Sequence, residues 1–304
     1  MAVGSLDTTD TTSARPARGL ALQGQRRVGS RSRLRVLRNG RSIFAIGCLL
    51  TLYLLALFAP LIAPYDPNAQ VLMDRLQPPS TTHFFGTDPL GRDIFSRALY
   101  AGRISLSLSL VAVTITLVVG AVVGLASGYA GGLTDSVLMR ISDVFLAFPV
   151  FILLITVISI FGSSIPLLII FLGLSAWPHT ARTVRAEVLS LRNRDYVEAA
   201  RVSGASVPRI LFTHLLPNVV SVLVVAGTLR VASLILIEAA LSYFGLGVTP
   251  PTPTWGNMVT EGRLYLDTAW WVTTIPGLII VATVLAYNLL GDSLRDMFDP
   301  RRRG

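Results

Sequence analysis

Six apolar runs, separated by polar and arginine-bearing segments, organise this chain. They cover 43–63, 104–127, 144–161, 164–181, 219–241 and 269–290. Each is near the ~20 residues an α-helix needs to cross a hydrocarbon core of ~30 Å. Asp, Glu and Arg are absent from all but the fifth, while Gly173, Pro178 and His179 dilute the fourth. The pattern predicts an all-α integral membrane protein of six transmembrane helices. A content of 52% hydrophobic and 14% charged residues agrees with that class.

Between the fourth and fifth runs the pattern changes. Residues 195–218 are polar, arginine-studded and interrupted by Gly204. Asp195 with Glu198 three positions later has the form of a capping box, which predicts a helix start. Ala199, Ala200 and Ala205 are small enough to let another surface approach the backbone. Gly204 supplies a turn without steric cost. Ser206 is positioned to cap a second short helix that tolerates Pro208 in its first turn, and Pro217 is expected to end the local structure. A helix, a turn and a helix are thus expected outside the membrane, between two spans.

Charge then orients the runs. The formal net charge is +9, and all 26 basic residues are Arg. With the N-terminus inside, the inner segments carry twenty Arg: nine from Arg15 to Arg41, Arg140, six from Arg182 to Arg209, and Arg295 with Arg301 to Arg303. The outer segments carry five: Arg75, Arg92, Arg97, Arg103 and Arg263. Arginine excess marks the cytoplasmic side, so both termini and the 195–217 loop are expected there. Residues 1–41 read as a flexible basic tail lying against anionic headgroups, rather than a cleavable signal or a twin-arginine leader. The basic residues sit in loops and tails, not on one face with aromatic stacking positions, so no nucleic-acid partner is expected.

Glu198-Ala199-Ala200, Arg201, Gly204-Ala205 and Leu216-Pro217 resemble the coupling loop of permease subunits in ATP-binding-cassette importers. That resemblance implies that the loop docks into a groove on a cytoplasmic ATPase. His83-Phe84-Phe85-Gly86-Thr87-Asp88-Pro89-Leu90-Gly91-Arg92-Asp93 is similar to a signature of the dipeptide, oligopeptide and nickel branch. From the residues alone the stretch from His83 to Arg103 is a turn-rich segment whose two Asp (Asp88, Asp93) and three Arg (Arg92, Arg97, Arg103) can pair locally. Leu241 to Gly247 with Pro250 to Asn257, and the ending Gly291 to Asp296 with Asp299-Pro300-Arg301, look like the same branch. The likeness covers 42–304 and is to the second permease of a dipeptide or oligopeptide system.

The resemblance implies a type-one importer permease fold. Residues 42–103 form a first span plus an external segment, 104–291 the permease core and 292–304 an inner tail. It also implies a second homologous permease, two ATP-binding subunits carrying ATP and Mg, an extracytoplasmic substrate-binding protein, and a bacterial inner membrane. The proline-rich outer loop, with Pro250, Pro251, Pro253 and Trp255, is expected to be stiff and is a candidate contact for the binding protein. Its alternative is a simple tight reconnection. Arg230 and Glu238 in the fifth span are candidates to line the pathway, because charges in a bilayer usually face protein or water. Each could instead be satisfied by a neighbouring helix or the partner permease. Asp143 reads as a helix-start charge favoured by the macrodipole.

Three scattered His and the single Cys48 offer no metal-ligand spacing, and no Walker sequence or catalytic constellation is present. The chain is therefore expected to bind no cofactor and to hydrolyse nothing itself. Within the importer class, nickel, haem or glutathione are alternative substrates. A non-transporting membrane scaffold is the alternative from another class, and an ion-coupled transporter would require inverted repeats and midplane carboxylates that are not apparent.

Overall fold

A computed structural model describes residues 40–298. The basic tail up to residue 39 and the 299–304 ending lie outside the described residues. Twelve helices are named here in chain order. They are α1 (Gly40–Leu57), α2 (Ala59–Ile62), α3 (Ile94–Ala130), α4 (Gly132–Ala147), α5 (Val150–Phe161) and α6 (Ile165–Ser175). The remainder are α7 (Trp177–Leu191), α8 (Asp195–Val202), α9 (Val207–Arg209), α10 (Leu216–Tyr243), α11 (Trp255–Gly262) and α12 (Trp271–Phe298). Among the described residues the sole β-type pairing is an isolated bridge between Thr87 and Asp93.

Among the described residues five helical stretches are long and apolar enough to span, or six if a bent pair counts as one. The bent pair is α4 with α5, and it corrects the predicted 144–161 run. That run straddles an 82° break at Phe148-Pro149. Proline lacks the N–H a helix interior needs and pushes the preceding residue to extended backbone, as Phe148 is. The predicted fourth span continues through α6 and α7 to Leu191, beyond residue 181.

Helix α3 starts at Ile94, earlier than the predicted Ile104, because Asp93 caps it: its Oδ2 accepts the Ser96 N–H at 2.7 Å. At about 1.5 Å per residue α3 exceeds the ~30 Å hydrocarbon core and projects beyond it. It packs alongside α7 through a stripe of small residues. A Cβ on Gly120 would lie 2.5 Å from Thr180 Cβ, and one on Gly124 would lie 2.6 Å from Val184 Cβ. Such stripes let helix backbones approach closely where lipid offers no hydrophobic drive for association. Polar ties reinforce the packing: Arg192 of α7 donates to the Gly128 carbonyl of α3 at 3.0 Å, and Arg185 of α7 makes two 2.6 Å bonds to Asp135 of α4, which also accepts from Ser127 of α3.

Helix α1 lies against α12, with the Tyr53 and Tyr287 hydroxyls 2.5 Å apart and the Ser42 hydroxyl donating to that of Ser293 at 2.8 Å. The start of α1 and the end of α12 therefore share one end of the bundle. The ends of α3 and α7 and the 195–217 loop lie at that end too. Residues 58–93 and 244–270 form the opposite end.

Candidate functional site

The 195–217 loop is built on a small apolar cluster of its own. Leu125 of α3 and Val184 and Val188 of α7 meet Val197, Ile210, Leu215 and Val219 there, all buried. Val197 is the anchor of α8. The predicted capping box is not made: Arg194 is the N-cap, with no side-chain cap bond, and Asp195 is the first helical residue. Asp195 and Glu198 instead complement the positive end of the helix dipole. The Glu198 carboxylate accepts from Arg201 at 2.7 Å, and Arg201 also lies over the Tyr129 ring of α3 at 6.0 Å.

Helix α8 ends in a Schellman turn. The Ala205 N–H bonds to the Ala200 carbonyl and the Gly204 N–H to that of Arg201, both at 3.0 Å. Gly204 has φ +77, and a Cβ built there would meet nothing within 4 Å. Its requirement is therefore backbone handedness alone. Ser206 precedes α9 without a side-chain bond, and Pro208 sits in the first turn, as expected. Pro217 does not stop the chain. A π-turn over Ile210–Leu215 runs directly into α10, where Pro217 occupies the tolerated first turn.

Among the residues that carry the resemblance, Glu198, Ala199, Arg201, Gly204 and Pro217 are exposed. Ala200, Ala205 and Leu216 turn inward and pack against the small cluster. The exposed face carries further apolar side chains that the motif did not highlight: Tyr196, Val202 (81% exposed), Val207 and Phe212 (65%). Their signal was apolar residues at non-core positions of an otherwise polar segment. Small, apolar and partly charged, this face lies at the end of the bundle where α3 and α7 terminate.

The opposite end is organised differently. Arg92 Nε reaches Asp88 Oδ2 at 2.5 Å and Arg92 Nη2 reaches Glu261 Oε2 at 2.6 Å. Arg97 contacts the same two carboxylates at 3.5 Å and 3.0 Å. Two guanidinium groups and two carboxylates thus alternate in a ring, with both Arg and Asp88 buried. The local pairing expected for this segment is incomplete without Glu261 of α11. Arg103, the third arginine of that expectation, lies over the Tyr100 ring instead. The His83 ring contacts Asp93 at 2.9 Å, and Trp271 Nε1 donates to the Thr87 carbonyl at 3.3 Å.

The outer-loop residues divide. Pro250 and Pro251, joined by a cis peptide bond, are exposed. Pro253 is buried, and Trp255 is 2% exposed, its Nε1 donating to the Ala98 carbonyl at 3.0 Å. Trp255 is thus an anchor of α11 on α3, not a surface available to a partner. Glu238 is 1% exposed and accepts hydrogen bonds from Ser242 and Thr254. Arg230 is half-buried near the middle of α10. Asp143 lies near the end of α4 and pairs with Arg182 of α7, which replaces the helix-start role expected of it. Among the described residues no group of three or more His, Cys, Asp or Glu could hold a metal ion.

Residues 117–304 match the family model described as the binding-protein-dependent transport system inner membrane component. Residues 29–79 match that of the N-terminal transmembrane domain of oligopeptide transport permease C. The chain is 42% identical over 266 residues to the di/tripeptide transport system permease protein DppC of Pseudomonas aeruginosa (strain UCBPP-PA14), covering 84% of this chain and 88% of that one. In structure it resembles a chain of the inward-facing MetNI methionine ABC transporter, with TM-score 0.51 and 23% identity, over 64% of this chain and 94% of that one. That last likeness concerns the fold.

Proposed function

The chain belongs to the family of binding-protein-dependent transport system inner membrane components, and on that premise we propose that it is half of the translocation pathway of an ATP-driven peptide importer. It is a multi-pass inner-membrane permease subunit and not itself an enzyme. ATP and Mg belong to two cytoplasmic ATPase subunits, a second homologous permease completes the pathway, and an extracytoplasmic binding protein delivers the substrate.

The observation that carries the coupling part is the 195–217 loop. A short helix is anchored by Val197 on the α3–α7 pair and reversed at Gly204; it presents Tyr196, Ala199 and Val202 outward, and the π-turn after it adds Phe212. A rigid mount beneath an exposed apolar face is what transmits a push from a docked ATPase into the spans. Glu198, Ala199, Ala200, Arg201, Gly204, Ala205, Leu216 and Pro217 build that element, some by facing the partner and others by holding its shape. In alternating access, ATPase closure draws this helix and that of the partner permease together and switches the opening from one side to the other.

The test is peptide uptake into vesicles reconstituted with the full transporter, comparing wild type with Gly204→Val. Uptake driven by ATP in wild type, with ATP hydrolysis but no uptake in the variant, is expected. Unimpaired uptake by a correctly inserted Gly204→Val protein would contradict the coupling role.

A further inference from the structure

With Arg182 one turn beyond it on α7, His179 lies near the midpoint of the continuous Ile165–Leu191 stretch, and Arg230 lies near the midpoint of α10. Each is on the order of 20 Å from the end of its helical stretch distal to the 195–217 loop, at 1.5 Å rise per residue. The His179 side chain is exposed; its neighbour Thr180 packs on Gly120 of α3, and Gly227, three residues before Arg230, packs on Leu117 of α3, so His179 and Arg230 lie at one level of the bundle and within electrostatic reach of each other. Arg182 is neutralised by Asp143. Arg230 has no such partner among the described residues: half-buried, it meets no carboxylate.

An uncompensated guanidinium at this depth is costly in lipid, so it faces water or a negative group supplied from outside the chain. Around it α7 is polar where a lipid-facing helix would be apolar. His179, Arg182 and Thr183 are all exposed in this single chain. Glu238, the other charge of α10, cannot serve Arg230, because it is enclosed with Ser242 and Thr254. The unmatched charge is thus positive, planar and fork-shaped, next to a ring that can also donate. That combination suits a carboxylate in bidentate contact.

Resting on the peptide-importer reading, we propose that Arg230 and His179 form a mid-membrane site for the carboxylate terminus of the peptide in transit. Arg230 supplies the paired N–H donors and His179 a third, while the Arg182–Asp143 pair limits the site's excess charge to one unit. A peptide with a free carboxylate crosses this level of the membrane with its negative end matched; one that carries a C-terminal amide does not gain that contact.

The experiment uses the complete transporter, with partner permease, ATPase subunits and binding protein, reconstituted in vesicles. Uptake of a free-acid dipeptide is compared with that of its C-terminal amide, both at concentrations that saturate the binding protein. In wild type the acid should be carried faster. Arg230→Gln should lower acid uptake roughly tenfold, the effect of losing a charge-assisted contact, and leave amide uptake within about twofold. His179→Gln should act in the same direction more weakly, and Arg230→Lys, which keeps the charge but loses the fork, should keep only part of the acid rate. A fall in both rates alike in Arg230→Gln would mark instead a pair with a carboxylate of the partner permease and overturn the proposal. So would no change in either rate. If wild type carries neither peptide, the importer reading itself fails.

Discussion

Three glycines share one backbone conformation and have opposite surroundings. Gly86, Gly91 and Gly204 have φ of +74, +72 and +77. A Cβ on Gly91 would lie 1.9 Å from the Val71 carbonyl oxygen, and one on Gly86 would lie 2.6 Å from that of Gln77; at Gly204 there is nothing within 4 Å. The first two sit in a buried knot closed by Arg92, Arg97, Asp88 and Glu261. The third sits on an exposed turn. The knot at 86–97 satisfies its charged groups within the chain. The 195–217 loop leaves a shaped, partly apolar face uncovered, which the importer reading assigns to the ATPase. Two signature segments of one chain can therefore have unlike physical settings: a self-closed knot at 83–97 and an uncovered face at 195–217.

Substitutions sharpen the contrast, and the largest effects belong to the knot. Gly91→Ala should prevent normal folding or cost upward of ~3 kcal/mol, because strain from positive φ adds to a direct backbone clash. Thermal unfolding of the purified protein in detergent reads this. Glu261→Ala should destabilise by about 3–5 kcal/mol, since two buried guanidinium groups lose a shared carboxylate. An unfolding temperature equal to that of wild type would show that the ring is not what holds α11 to the start of α3. Gly204→Val should cost only about 1–2 kcal/mol, the left-handed penalty for a residue with a Cβ. Its consequence for coupling should far exceed its consequence for stability. Val202→Asp should leave stability within roughly ±0.5 kcal/mol, as an exposed substitution does, while weakening ATPase association.

Much of the fold was legible because lipid enforces a simple code: long apolar runs, arginines between them, and nothing else able to span. The errors came where local chemistry overrode run length. Phe148-Pro149 bends what reads as one span, and Asp93 starts α3 well before its apolar stretch. The loop was legible as helix, turn and helix from Gly204 and Pro208. Its inward and outward faces were not, since Ala200 and Ala205 differ from Ala199 only in where the helix points them. Glu261 was invisible as a partner of Arg92 and Arg97 because the pairing spans more than 160 positions. Trp255, next to a run of prolines, looked like surface and is an anchor, for only the packed structure brings Ala98 and Ser105 beneath it.

Docking of an ATPase on the 195–217 face is read out by isolating the chain from its native membrane in mild detergent. Proteins recovered with wild type, Glu198→Arg and Val202→Asp would be compared, after confirming that all three unfold at the same temperature. ATPase subunits accompanying wild type and depleted from both variants is the predicted result. Equal recovery with all three proteins, or no ATPase with a well-folded wild type, would contradict the account.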